Sequence, residues 1–153
     1  MDEETPEQRV NREFMELLNE LRVVLPGVQL LFGFMLTVPF SQGWGKATGF
    51  QRGLFFAVLC TVLISLACLV APAAYHRARF RDGAKERNLH IANAFIRAGL
   101  LTLGLSLTGA LVVIADYQFG TAAALLATTF GLLLFAWAWW LMPLADRTRG
   151  DRP

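Results

Sequence analysis

Arg97 is the residue whose chemistry matters first, because it stands in the apolar stretch IANAFIRAGLLTLGLSLTGALVVIA. A guanidinium is costly in hydrocarbon and normally faces protein or water. It therefore has two readings. One makes it part of an ion or substrate path; the other makes it a structural anchor that snorkels to headgroups or pairs with a carboxylate. Asn93, Arg97, Gly104 and Thr108 follow one another at steps of four, seven and four, which places them on one face of a helix. Gln29, Gln42 and Thr37, with Thr128 and Thr129, are neutral candidates for lining such a path, although threonines in membrane helices commonly bond their own backbone.

Proton and sodium coupling usually runs through buried carboxylates, so the acids matter next. Asp116 lies 19 residues beyond Arg97, about 28 Å of helix, which places it in a turn at the far interface. Glu16 and Glu20 are the remaining acids within reach, provided that the chain bends at Pro26-Gly27 and brings them back over Arg97. His76 and His90 flank a basic loop, where a hairpin would bring them together as a pH sensor or half a metal site. With no cysteine or acid at ligand spacing, they read as interfacial histidines and no metal is expected. Cys60 and Cys68 stand eight residues apart, about 12 Å along a helix, too far to bridge, and read as packing residues. No nucleotide-binding glycine loop, nucleophile elbow or zinc motif occurs, so neither enzymatic chemistry nor a cofactor is expected.

These residues must be positioned by membrane helices. Of 153 residues, 55% are hydrophobic and 17% charged, against about a quarter charged in soluble proteins. Four windows are long enough to cross about 30 Å of hydrocarbon: 23–40, 54–74, 91–115 and 119–141. Before them, in residues 1–22, Val10, Phe14, Leu17, Leu18 and Leu21 recur at three- and four-residue steps with Arg12, Glu13, Glu16, Glu20 and Arg22 on other faces. The expected architecture is all-α: an integral membrane four-helix bundle with an N-terminal amphipathic interfacial helix. Pro26-Gly27 either kinks the chain between that helix and the first span, or sits in one long helix with a slight bend. A stripe of small residues, Ala94, Ala98, Thr102, Ser106 and Ala110, marks a face of the third helix that a neighbour can approach closely.

Charge distribution sets the expected orientation. Eleven Lys and Arg lie in residues 1–22, in the loop around 77–87 and in the tail 145–153, against Lys46 and Arg52 on the other side. That bias places both termini in the cytoplasm of a plasma-membrane protein, with Trp137, Trp139 and Trp140 as an inner aromatic belt and Trp44 as an anchor in the exported loop. The acidic, amphipathic start does not resemble a cleavable signal peptide. The basic loop suits anionic lipid, and nothing in the charge pattern suggests nucleic-acid binding.

The blocks NREFMELLNELRVVLPGVQLLFGFMLTVPF and LVAPAAYHRARFRDGAKERNLHIANAFIRAGL resemble a family of small four-span actinobacterial membrane proteins of unknown function, over most of the chain. Some members carry the label sodium:proton antiporter. The resemblance implies membrane residence; exchange as in that label would need Glu16 or Glu20 drawn inside, or several copies of the chain, because no carboxylate stands at mid-membrane. Two functions follow as expectations. One is cation or proton translocation by a homo-oligomer, since four helices alone scarcely enclose a hydrated path. The other is a non-catalytic membrane scaffold or accessory subunit that holds a cytosolic partner or anionic lipid.

Overall fold

Thr5 opens the first helix with a capping box: its side chain accepts the Gln8 N–H at 3.3 Å, and Gln8 Oε1 accepts the Thr5 N–H at 2.9 Å. Pro6 follows at the first helical position, where a backbone N–H has no partner to lose. The computed structural model describes residues 5–78 and 85–141, and among these every regular element is helical. Helix α1 spans Pro6–Thr37, α2 Gly49–Ala78, α3 Lys85–Phe119 and α4 Thr121–Ala136. Short 3-10 turns at Val38–Phe40 and Trp44–Lys46 lie between α1 and α2, and a π-helical turn at Trp137–Leu141 prolongs α4. Most of the basic loop, the tail after residue 141 and the side chains of His76 and Trp140 lie outside the described residues.

At Pro26-Gly27 the structure takes the second of the two expected courses, and at a later boundary it differs from the expectation. The amphipathic segment and the first span form one helix that runs through Pro26 and Gly27. The reason is visible in its buried side: Leu21, Val28 and Met35 follow at seven-residue steps, a seam that straddles the proline and would be broken by a bend there. Phe14, Leu17 and Leu18 are half-buried on the same side, while Arg12, Glu16, Glu20 and Arg22 are exposed. That later boundary is the connection between α3 and α4. The gap between the third and fourth windows, residues 116–118, is where the turn with Asp116 was expected, yet α3 continues through Asp116, Tyr117 and Gln118 to Phe119. The reversal is made by Gly120, whose φ of 83° favours glycine, with its N–H bonded to the Asp116 carbonyl at 3.0 Å.

The chain packs as two compact units, Met1–Ser41 with Leu59–Leu103, and Gln42–Val58 with Gly104–Pro153. In the first, Val62, Ser65, Leu69 and Pro72 form the buried edge of α2. Helix α3 meets that edge at Gly99, where a Cβ would fall 2.8 Å from the Leu69 side chain and 3.3 Å from Cys68. In the second unit α3 meets α2 at Gly109, against Val58, and meets α4 at Gly104, against Trp139 and Phe135. Thr108 lies against Gly131 of α4. Close approaches fall on glycines 99, 104, 109 and 131; of the expected small stripe Ser106 is fully buried, Thr102 and Ala110 are half-buried, and Ala94 and Ala98 are exposed. Cys68 packs as expected, whereas Cys60 is exposed and faces away from the core.

Helices α1 and α4 leave large apolar side chains outward, among them Val23, Leu30 and Phe34 on the first and Leu126, Phe130 and Leu133 on the second. In water such surfaces would demand a partner. Four helices, however, are long and apolar enough to cross a membrane, over Arg12–Phe40, Gly49–Ala74, His90–Phe119 and Thr121–Trp139. Lipid is the solvent those surfaces suit.

Candidate functional site

The polar residues singled out on α3 separate into two places. Asn93 and Arg97 belong to the first unit, with Asn93 half-buried and Arg97 exposed. The Arg97 Nε donates to the Asn93 carbonyl at 3.3 Å, so the side chain runs back one turn toward the start of its own helix. Thr108 belongs to the second unit, is buried, and donates its hydroxyl to the Gly104 carbonyl at 2.9 Å. Gln29, Pro26 and Gly27 are exposed on α1.

Glu16 and Glu20 do not reach Arg97. Glu16 pairs instead with Arg12 at 3.2 Å, as Arg9 does with Glu13 at 2.9 Å. Both are i,i+4 pairs within the first turns of α1, and being exposed they contribute little to stability. Glu20 is exposed and, among the described residues, forms no ion pair.

Several hydroxyls within the spans bond to backbone carbonyls. Thr37 donates to Phe34, Thr128 to Ala124 and Thr129 to Leu125, at 2.7, 2.8 and 3.0 Å. Thr102 donates to the carbonyls of Ala98 and Gly99 at 2.9 and 3.0 Å. Ser65, fully buried on α2, donates across to the Gly99 carbonyl of α3 at 2.7 Å. This interhelical bond went unforeseen. Its trace in the sequence is the row Val62, Ser65, Leu69, Pro72 at steps of three, four and three, a packing edge with one hydroxyl in it.

The densest polar cluster is at the start of α2 and the end of α3, in the second unit. Thr48 and Gln51 form a capping box, with the Thr48 N–H on Gln51 Oε1 at 2.9 Å and the Gln51 N–H on Thr48 Oγ1 at 3.2 Å. The amide's other end, Nε2, donates to Asp116 Oδ2 at 2.8 Å, so Asp116 is engaged rather than solvated in a turn. One residue on, the Tyr117 hydroxyl donates to the Gly43 carbonyl at 3.1 Å. Trp44 packs edge-on to Phe55 with ring centroids 5.0 Å apart, and the Arg52 guanidinium lies 6.0 Å from the Trp44 ring. Arg52 also donates to the Trp44 and Gly45 carbonyls at 3.3 and 3.1 Å. Together these bonds fix the loop between α1 and α2. Sequence reasoning missed the Gln51–Asp116 bond, which joins residues 65 positions apart, although the T-x-x-Q cap was there to be read.

Among the described residues no three His, Cys, Asp or Glu side chains converge as metal ligands. His90 is exposed near the start of α3. What the arrangement does chemically is hold helices and a loop, through backbone-directed bonds in the spans and a capped, charge-assisted bond at one end.

An all-α chain with four span-length apolar helices and lipid-suited outer faces defines a multi-span membrane protein. More specifically, the chain belongs to a family of unknown function, DUF6328, which it matches over residues 3–143. No curated protein and no solved structure matches it.

Proposed function

We propose that this protein is a non-catalytic multi-pass scaffold or accessory subunit of the plasma membrane, with both termini in the cytoplasm. The observation that carries this reading is how the polar groups near the spans are used. Thr102, Thr108, Thr128 and Thr129 donate to their own helix, Ser65 to the neighbouring helix, and Asp116 accepts from Gln51. Those bonds hold the fold, while the buried carboxylate through which proton or sodium coupling usually runs is missing among the described residues, where Glu16 and Glu20 are exposed and Glu13 and Asp116 half-buried. The orientation is supported by the eleven-to-two excess of basic residues on one side. The first turns of α1, with their exposed Arg9–Glu13 and Arg12–Glu16 pairs, offer a cytosolic partner a charged surface.

A second reading, sodium/proton exchange or other cation translocation by a homo-oligomer, is favoured by one observation: Arg97 is exposed on a span-length helix. The two are separated by ion flux. Purified protein in liposomes, under a pH or sodium gradient, should leak no faster than empty vesicles, and Arg97→Leu should change nothing. Flux well above the empty-vesicle rate that is lost in Arg97→Leu would establish translocation instead.

A further inference from the structure

We infer that Arg97, Asn93 and His90 form a seat for the phosphate of a membrane phospholipid on the outer face of α3. His90, Asn93 and Arg97 stand at steps of three and four, within about 60° of one another around the helix. His90 and Arg97 are exposed and Asn93 is half-buried, so the strip faces away from the core of its unit. All three have donors to offer. Arg97 uses Nε on the Asn93 carbonyl, which leaves both terminal nitrogens of the guanidinium fork for an acceptor. The Asn93 amide and the His90 ring form no hydrogen bond with another described residue, and an imidazole keeps at least one N–H donor whether charged or neutral.

Depth and direction identify the occupant. Phe119, the last residue of α3, lies 22 residues beyond Arg97, about 33 Å of helix, which matches a hydrocarbon core of about 30 Å. Arg97 thus stands at the edge of the core rather than its middle. From there its side chain runs back toward the start of α3, as an arginine does when it carries its charge out to the headgroups. A planar fork pairs in bidentate fashion with phosphate oxygens, and the amide and imidazole donors lie one and two turns further out on the same strip. On the core side the strip continues as exposed Leu101, apolar surface for the first part of an acyl chain. Glu16 pairs with Arg12 and Glu20 forms no ion pair among the described residues, so neither neutralises the guanidinium. This inference rests on α3 crossing the bilayer and is independent of the scaffold role.

The test is native mass spectrometry of the full chain titrated with phosphatidylglycerol, alongside Arg97→Gln, Arg97→Lys and Asn93→Ala. Because Arg97 is exposed, thermal melting should show these variants folded; if Arg97→Gln is not, Arg97→Lys and Asn93→Ala carry the comparison. Arg97→Gln should weaken lipid retention about tenfold, the loss expected of a charge-assisted hydrogen bond to a charged group. Asn93→Ala and Arg97→Lys should fall between. Millimolar inorganic phosphate should fail to displace the lipid, since it lacks the acyl contact. Equal retention by wild type and Arg97→Gln overturns the seat. So does displacement by inorganic phosphate, which would mark a soluble-ion site, and so does a change in subunit number without lipid loss, which would assign the face to a second copy of the chain.

Discussion

The carboxylate of Asp116 has an amide donor fixed beside it, and that amide is held at both ends. Gln51 gives its oxygen to the Thr48 N–H and its nitrogen to Asp116, while its side chain is buried. Removing the acid strands a buried N–H; removing the amide uncaps α2 and frees the acid. Asp116→Ala should therefore lower stability by about 1–3 kcal/mol, read as a fall in melting temperature in detergent. The paired change Gln51→Leu with Asp116→Ala should cost less than the sum of the two single changes, because a lone survivor is worse than neither. Strict additivity, within about 0.3–0.5 kcal/mol, would show that the bond contributes nothing. At this scale the sequence was only partly legible. Arg97 announces itself as a charge in an apolar run, and the threonines' back-bonding follows from their type. The use of Gln51 does not, because its partner is brought to it by the packing of two helices.

Helix windows are the most legible feature of such a chain, since hydropathy over some twenty residues integrates many weak preferences into one strong one. All four apolar windows fall on helices, the fourth beginning at Thr121 after the break at Gly120. The breaks between elements were harder. Pro26 suggested an end to the interfacial helix, yet the heptad Phe14, Leu21, Val28, Met35 runs past it, and burial of that seam outweighs one missing backbone bond. The real stop at Gly120 is a single glycine, easily overlooked beside the polar triplet before it. Glycines inside helices divide in the same way, by what surrounds them. A Cβ on Gly99 would meet Leu69 at 2.8 Å and one on Gly131 would meet Thr108 at 2.6 Å, whereas Gly27 and Gly33 have nothing within 4 Å. Gly99→Ala and Gly131→Ala should therefore destabilise by about 1–3 kcal/mol through overpacking. Gly27→Ala and Gly33→Ala should stabilise by about 0.5–1 kcal/mol, the ordinary helix preference for alanine. Melting of the four variants side by side checks both signs. A loss at Gly27 or Gly33 as large as that at Gly99 would mean that their open face is covered in the membrane.

For the whole molecule the decisive quantity is which side of the membrane each end occupies. Lys and Arg number eleven in residues 1–22, 77–87 and 145–153 together, against two, Lys46 and Arg52, in the segment between the first two spans. Of the two, Arg52 is held on the carbonyls of Trp44 and Gly45 and against the Trp44 ring, so Lys46 is the single cation in that segment not engaged in folding the loop. Each charge retained in the cytoplasm resists translocation, and no single change in the 42–48 loop can offset a difference of nine. The prediction is that reporters active on only one side of the membrane, placed at Gly45, within 79–84 and at the C-terminus, will read exported, cytoplasmic and cytoplasmic. Gly45 is the better outer site than Gly43, because it is exposed and has open space where a side chain would go. Gly43 instead accepts the Tyr117 hydroxyl and would set a Cβ 2.9 Å from it. Adding two lysines beside Gly45 should leave all three readings unchanged. Neutralising Arg77, Arg79, Arg81, Lys85 and Arg87 together should instead give mixed readings, since the remaining bias rests on the two ends alone. A cytoplasmic reading at Gly45 in the unmodified chain would invert the orientation and, with it, the side from which a cytosolic partner could reach α1.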